Sequence, residues 1–272
     1  MIHLICALPC EGKPLIDCHG LRHVPRADLF KIYVRRDGGM SLTLSGPGKT
    51  NAAAAVIYTH TLFSSRAADA WLNIGVAGHR SLDPGTAVLA HRIEDAGSGH
   101  AWYPQFSFPL PCPTLNLRTL DRPSTDYHEE IIDMEAAGFF NQARRCGTAE
   151  LIQVLKVISD NAAQPAGKPD ARYVTGLIKN GLMCINNVID SLQSLSCGLA
   201  ATQQPPPLFN DCLDRWHFTE YERNALLRLL HRWDILCPGR PPPVHSMQFR
   251  KGGDLIEYLG KELSHMTLSF GE

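Results

Sequence analysis

The sequence predicts an α/β domain followed by a small helical appendage, and three observations lead there. Short apolar runs suited to buried strands, at residues 2–8, 71–78, 86–93 and 151–158, alternate with segments of helical spacing. Acids stand just past the ends of two of these runs, at Glu11 and Asp160. A stretch of linker composition, residues 198–207 with Gln203-Gln204-Pro205-Pro206-Pro207, then sets off a separate C-terminal part.

The elements follow in order. Residues 2–8 form a first strand running into Pro9-Cys10-Glu11-Gly12, which places Glu11 beyond a strand's carboxyl end. Residues 30–34 and 41–44 read as a hairpin joined at Asp37-Gly38-Gly39. Ser45-Gly46-Pro47-Gly48 is a tight turn into an alanine-rich helix from Thr50 to about Phe63; its backbone N–H groups suit an anion or sugar hydroxyls, and close helix packing explains the glycines equally well. Residues 71–78 are a strand that dissolves into small residues, either because the backbone approaches something closely or because it bends. Residues 94–124 show no clear period.

Asp133-Met134-Glu135-Ala136-Ala137 opens a helix whose Ala136, Phe139, Phe140 and Ala143 share one face, with Glu135 in its first turn. The branched run 151–158 stops at Ser159-Asp160-Asn161. Ligand crevices of open parallel sheets lie outside the strands' carboxyl ends, so Glu135 and Asp160 are candidates for chemistry. A helix-start carboxylate and a loop cap account for the same residues. Residues 173–195 have helical spacing. Past the linker, Thr219 and Glu222 make a capping box ahead of a helix over 221–233, and 254–263 is a second helix. The expected organisation is a domain over 1–197, a linker over 198–208 and an appendage over 209–272.

Composition narrows the function. The 272 residues are 44% hydrophobic, enough for a sizeable core. Lys and Arg total 26 against 27 acids, a formal charge of -1 with no basic run, which argues against nucleic acid or a membrane surface as partner. Nine cysteines without a CxxC pair or a secretory signal fit a reducing cytoplasm. No apolar run nears the roughly 18 residues of a membrane span. Twelve histidines form no metal-ligand spacing, so no metal or cofactor is expected.

Five stretches in order resemble the purine nucleoside and uridine phosphorylase superfamily, and within it the methylthioadenosine/S-adenosylhomocysteine nucleosidases. They are residues 7–11, Ser45-Gly46-Pro47-Gly48-Lys49, Asn73-Ile74-Gly75-Val76-Ala77-Gly78, Met134-Glu135-Ala136-Ala137 and Ile158-Ser159-Asp160, covering about residues 1–195. The resemblance implies a mixed sheet flanked by helices, cleavage of a nucleoside's N-glycosidic bond, and a homodimer. It implies that Asp160 protonates the leaving purine, for which a carboxylic acid needs a raised pKa. Glu135 would bind the ribose 2′ and 3′ hydroxyls, Met134 would pack on the sugar, and Glu11 would be general base to the attacking water. Ser45, Gly46, Ala77, Gly78 and Ser159 complete the implied binding set.

Pro9-Cys10-Glu11-Gly12 and Asn73 lack the phosphate-binding arginines of the phosphorylases, and an unpaired carboxylate at Glu11 repels phosphate, which favours hydrolysis. Two departures stand out. The segment before Met134 is short, leaving Tyr127 or His128 to stack on the base unless they are exposed loop residues, and Pro165-Ala166-Gly167-Lys168-Pro169 alters the loop after Asp160. A phosphorylase using Lys13 or Lys49 with the 46–48 backbone, and a non-catalytic binding module on the same fold, are the competing functions.

Overall fold

The computed structural model describes residues 1–165, 170–202 and 204–266. Residues 166–169 of the altered loop and Gln203 of the expected linker lie outside the described residues. Two compact units form, Met1–Ala200 and Ala201–Glu272.

In the first unit the elements run β1 (Ile2–Cys6), α1 (Pro9–His19), β2 (Arg22–His23), β3 (Lys31–Val34), β4 (Met40–Leu44), α2 (Lys49–Phe63), β5 (Ala70–Gly78), β6 (Ala87–Asp95), β7 (Ala101–Trp102), β8 (Thr114–Thr119), β9 (Ile131–Asp133), α3 (Ala136–Ala143), β10 (Ile152–Asp160) and all but the last two residues of α4 (Ala171–Thr202). All ten strands join one mixed sheet. β1 is fully buried between β4 and β5, parallel to both. β5 also runs parallel to β10, which pairs antiparallel with β6, while β6, β8 and β9 continue side by side and β9 returns to β5 at the pair Gly78–Ile132. The strands β5, β10, β6, β8 and β9 thus close a ring, with β1, β4, β3 and β2 extending from it.

Successive strand residues point to opposite faces, so each buried strand feeds two cores. One face gathers Leu4 and Leu72 with Leu15 of α1 and Ile178, Ile185 and Leu192 of α4. The other gathers Ile5 and Trp71 with Ala52 and Val56 of α2 and Phe139 and Phe140 of α3. The small residues of α2 and α3 allow the two helices to touch closely. A β-carbon on Gly138 would fall 1.9 Å from the Lys49 carbonyl oxygen, so only glycine lets α3 settle against the start of α2. This contact sets the end of α3 that carries Glu135 beside the 46–48 turn.

α4 begins before the helix expected over 173–195 and continues through Gly198 to Thr202, seven residues past its expected end. Leu195 and Leu199 keep packing on the first core, and that contact outweighs the weak helix propensity of a single glycine. Residues 94–124, which show no clear period, hold β7 and β8, and β9 follows within the short stretch before Met134.

The second unit contains α5 (Pro207–Arg215), α6 (Glu220–Leu236) and α7 (Gly252–His265), around a core that includes Phe218, Leu230, Trp233, Leu255 and Leu259. The capping box forms as spaced: Glu222 N–H donates to Thr219 Oγ1 at 3.3 Å and Thr219 N–H to Glu222 Oε2 at 2.8 Å. Among the described residues no helix is long and apolar enough to cross a membrane.

Candidate active site

Three elements deliver carboxylates to one place. Pro9 sits at the first position of α1, where its missing N–H is no loss, and this turns the chain so that Glu11 lies in the helix's first turn. Its side chain folds back: Oε2 accepts from Ala7 N–H at 3.0 Å and Leu8 N–H at 2.8 Å, and Oε1 accepts from Val76 N–H of β5 at 2.9 Å. The expected unpaired carboxylate is therefore bonded three times, because the start of α1 and the end of β5 meet there. Burial raises the Glu11 pKa, opposed first by the ammonium of Lys156 and then by the three N–H groups.

Lys156 projects from the middle of β10, is 1% exposed, and places Nζ 2.8 Å from Asp133 Oδ2. Burial works against its charge, yet Asp133, Glu135 and Glu11 together outweigh burial and raise its pKa. Gly75 makes room for Glu11 beside Lys156. A β-carbon there would lie 2.9 Å from Glu11 Oε1 and 3.4 Å from Lys156 Nζ, so the small residues of β5 mark a close approach of side chains to its backbone. The bend offered as the other explanation is also present next door, as a register shift in β10 between Ile158 and Asp160 opposite Gly78.

Asp133, at the end of β9, accepts from Thr119 Oγ1 at 2.7 Å and from Ala136 N–H at 2.8 Å, so it ties the sheet to the start of α3. Glu135 stands at the N-cap of that helix and its Oε1 accepts from Gly48 N–H at 2.8 Å. Burial, helped by the neighbouring carboxylates Asp133 and Glu11, pushes its pKa up to about 7, against the pull of Lys156 and the Gly48 N–H. At the far end of β10, Asp160 Oδ2 accepts from the Tyr127 hydroxyl at 2.6 Å, and Ser159 Oγ bonds Oδ1.

The raised pKa of Glu135 has a consequence for stability. An acid whose folded pKa lies above its unfolded value of about 4.5 binds more protons folded than unfolded between those two values. Its contribution to stability is therefore lost as pH rises from about 4.5 to about 7. Glu135→Gln keeps an oxygen for Gly48 N–H and removes the buried charge. Its melting temperature should gain on that of the wild type progressively across this window, and a constant offset between the two melting curves would contradict the assignment.

A cleft of about 230 Å³ receives these groups. Its lining includes Glu11, Ala77, Gly78, Met134, Glu135, Ser159 and Asp160, together with Asp133. Ser45, Gly46 and Tyr127, which the sequence placed in the binding set, are not among the lining residues. Ser45 is buried and bonds the carbonyls of Cys6 and Gly46, Gly46 shapes the turn with φ 78°, and Pro47 of that turn faces the cleft instead. Tyr127 reaches Asp160, while Arg122, Pro123 and Ser124 of the same segment line the opening. His128 is exposed and lies 3.5 Å from Asp126. Lys13 pairs with Asp17 on the exposed face of α1, and Lys49 with Asp95 and Asp121; neither lines the cleft.

Lys156 and Asp133 were missed as site residues. The signal was a lysine in the middle of a largely apolar strand, which can be buried only beside acids. Among the described residues no three His, Cys, Asp or Glu side chains are grouped to hold a metal ion.

No protein-family model and no curated protein matches the chain. Solved structures do. 5′-Methylthioadenosine/S-adenosylhomocysteine nucleosidase from Helicobacter pylori, with butyl-thio-DADMe-Immucillin-A, aligns at 15% identity and TM-score 0.58 over 70% of this chain and 97% of its own. The apo 5′-methylthioadenosine nucleosidase of Arabidopsis thaliana aligns at 17% identity and TM-score 0.57 over 70% and 95%. Futalosine hydrolase of Helicobacter pylori aligns at 14% identity and TM-score 0.55 over 70% and 97%. With the mixed sheet and flanking helices already described, these alignments give the chain the fold of the nucleoside phosphorylases and nucleosidases.

Proposed function

We propose that the protein is an N-ribosyl hydrolase that cleaves the glycosidic bond of a purine nucleoside. The observation that carries this reading is the meeting of Glu11, Glu135 and Asp160 in one cleft, from the start of α1, the start of α3 and the end of β10. Breaking the bond leaves cationic character on the sugar and negative charge on the base, and the lining answers both. Glu135 uses the lone pairs left free by Gly48 N–H to accept the 2′ and 3′ hydroxyls, with Met134 against the sugar. Glu11 Oε1 accepts one N–H, from Val76, and keeps a lone pair for the proton of the attacking water. Asp160 delivers a proton to the departing base. The carboxylates around Lys156 favour the cationic sugar.

Hydrolysis is preferred to phosphorolysis because Arg122 is the one Lys or Arg among the described lining residues, while Glu11 sits where the phosphate would have to enter and Lys156 is already engaged by Asp133. A phosphate dianion would be repelled there. Since two of the three solved structures described above are named for 5′-methylthioadenosine, an adenine nucleoside with a modified 5′ position is the proposed substrate. Nine free thiols suit a reducing compartment such as the cytoplasm.

A panel of purine nucleosides, with and without phosphate, tests the reading by assay of free base and sugar. Free base and free sugar without phosphate are expected, the sugar keeping any 5′ substituent, from a preparation that sediments as a homodimer at micromolar concentration. A sugar 1-phosphate formed only with phosphate would make it a phosphorylase, silence across the panel a binding module, and a monomer would remove the dimer.

A further inference from the structure

The segment between β8 and β9, residues 120–130, passes along the cleft from the Glu135 side to Asp160. At one end Asp121 Oδ1 pairs with Lys49 Nζ at 2.8 Å, one residue from the Gly48 N–H that Glu135 accepts. Arg122, Pro123 and Ser124 then line the opening. At the other end the Tyr127 hydroxyl donates to Asp160 Oδ2 at 2.6 Å. Beyond it His128 O accepts from Arg80 N–H at 3.0 Å, and Glu129 O lies 3.1 Å from His79 Nε2, so the strand end that carries Gly78 holds this end of the strap. The ring and the carboxylate press on the same backbone: a β-carbon on Gly78 would lie 3.0 Å from Tyr127 Cε1 and 3.1 Å from Asp160 Oδ2.

From this geometry we infer that Tyr127 is a positioning residue for Asp160, acting from outside the cleft on Oδ2 while Ser159 Oγ bonds Oδ1. The inference rests on the nucleosidase reading. As the bond between C1′ and the ring nitrogen breaks, its electron pair goes to the base, and the proton of the Asp160 carboxyl moves to a base nitrogen. Asp160 is left as a carboxylate, while the phenol keeps its own proton. A hydrogen bond from a phenol to a carboxylate is stronger than one to a carboxylic acid. The Tyr127 bond therefore tightens as the proton leaves, and stabilises the transition state more than the bound substrate. Because the strap carries both Tyr127 and the lining residues 122–124, its seating against substrate also sets the acid.

The test is Tyr127→Phe, which keeps the ring on Gly78 and removes the hydroxyl. On the nucleoside that the panel identifies, kcat is expected to fall roughly 10- to 100-fold, the equivalent of one hydrogen bond to a charged group, with KM and melting temperature nearly unchanged. On the N7-methylated form of that nucleoside, whose base leaves without receiving a proton, the variant should match the wild type. Equal losses on both substrates, a loss carried by KM alone, or no loss would each overturn the inference. Should the methyl group keep the analogue out of the cleft, the split between kcat and KM decides. An active wild type with an unaffected variant sinks this inference alone, whereas a wild type silent across the panel sinks the nucleosidase reading and this inference with it.

Discussion

Asp160→Asn is expected to lower turnover of the identified nucleoside by roughly 10² to 10⁴ and to leave the melting temperature almost where it was. Asparagine matches aspartate in shape: its carbonyl oxygen can still accept from Tyr127, and its NH2, in place of Oδ1, can donate to Ser159 Oγ, whose own proton has the Ala77 carbonyl at 3.3 Å, so the strap stays tied to the end of β10. What it lacks is a transferable proton. The base must then leave as an anion, and the whole acid contribution to the barrier is lost. If Asp160 only ended a strand and capped a turn, the substitution would be close to neutral for both turnover and melting, because asparagine caps as well as aspartate. Turnover measured beside a thermal melt of the same variant separates the two, and near wild-type turnover would remove Asp160 from the mechanism.

Lys156→Met is the second large effect, and it falls on stability. Methionine fills much of the same volume, but it leaves Asp133, 0% exposed in its side chain, without the ammonium 2.8 Å away. Glu11 and Glu135 lose the same counter-charge. Breaking a buried ion pair from one side costs about 3–5 kcal/mol, since it strands a charge that water cannot reach. For a domain of this size that corresponds to a fall of roughly 10 °C in melting temperature. Adding Asp133→Asn should recover part of the loss, because the stranded charge is then gone. A single variant that melts within about 1 kcal/mol of the wild type would mean that the pair is not closed in solution.

Much of the fold was legible where local pattern and final packing agree. The apolar runs that became β1, β5 and β10 are buried on both faces, so their residues announce themselves without knowledge of the partner strand. The spacing of Ala136, Phe139, Phe140 and Ala143 is that of α3, and all four are buried. The strands β8 and β9 were not legible. β8 is only half-buried and flanked by prolines, and β9 is three residues long, defined by its pairing with β8 and β5. α5 escaped as well, since it starts at a proline within a stretch of linker composition.

The site divides along the same line. By itself the sequence determined which acids stand at strand and helix ends, Glu11, Glu135 and Asp160, because end positions follow from local hydrophobic pattern. Only the tertiary structure decided that β5 brings Val76 N–H to Glu11, and that Lys156 finds Asp133. It also decided that Tyr127 meets Asp160 from outside the cleft rather than lining it. Those contacts join residues 23 to 65 positions apart, and no local preference encodes them: a buried lysine signals that acids must be near, but which acids they are depends on the closure of the sheet.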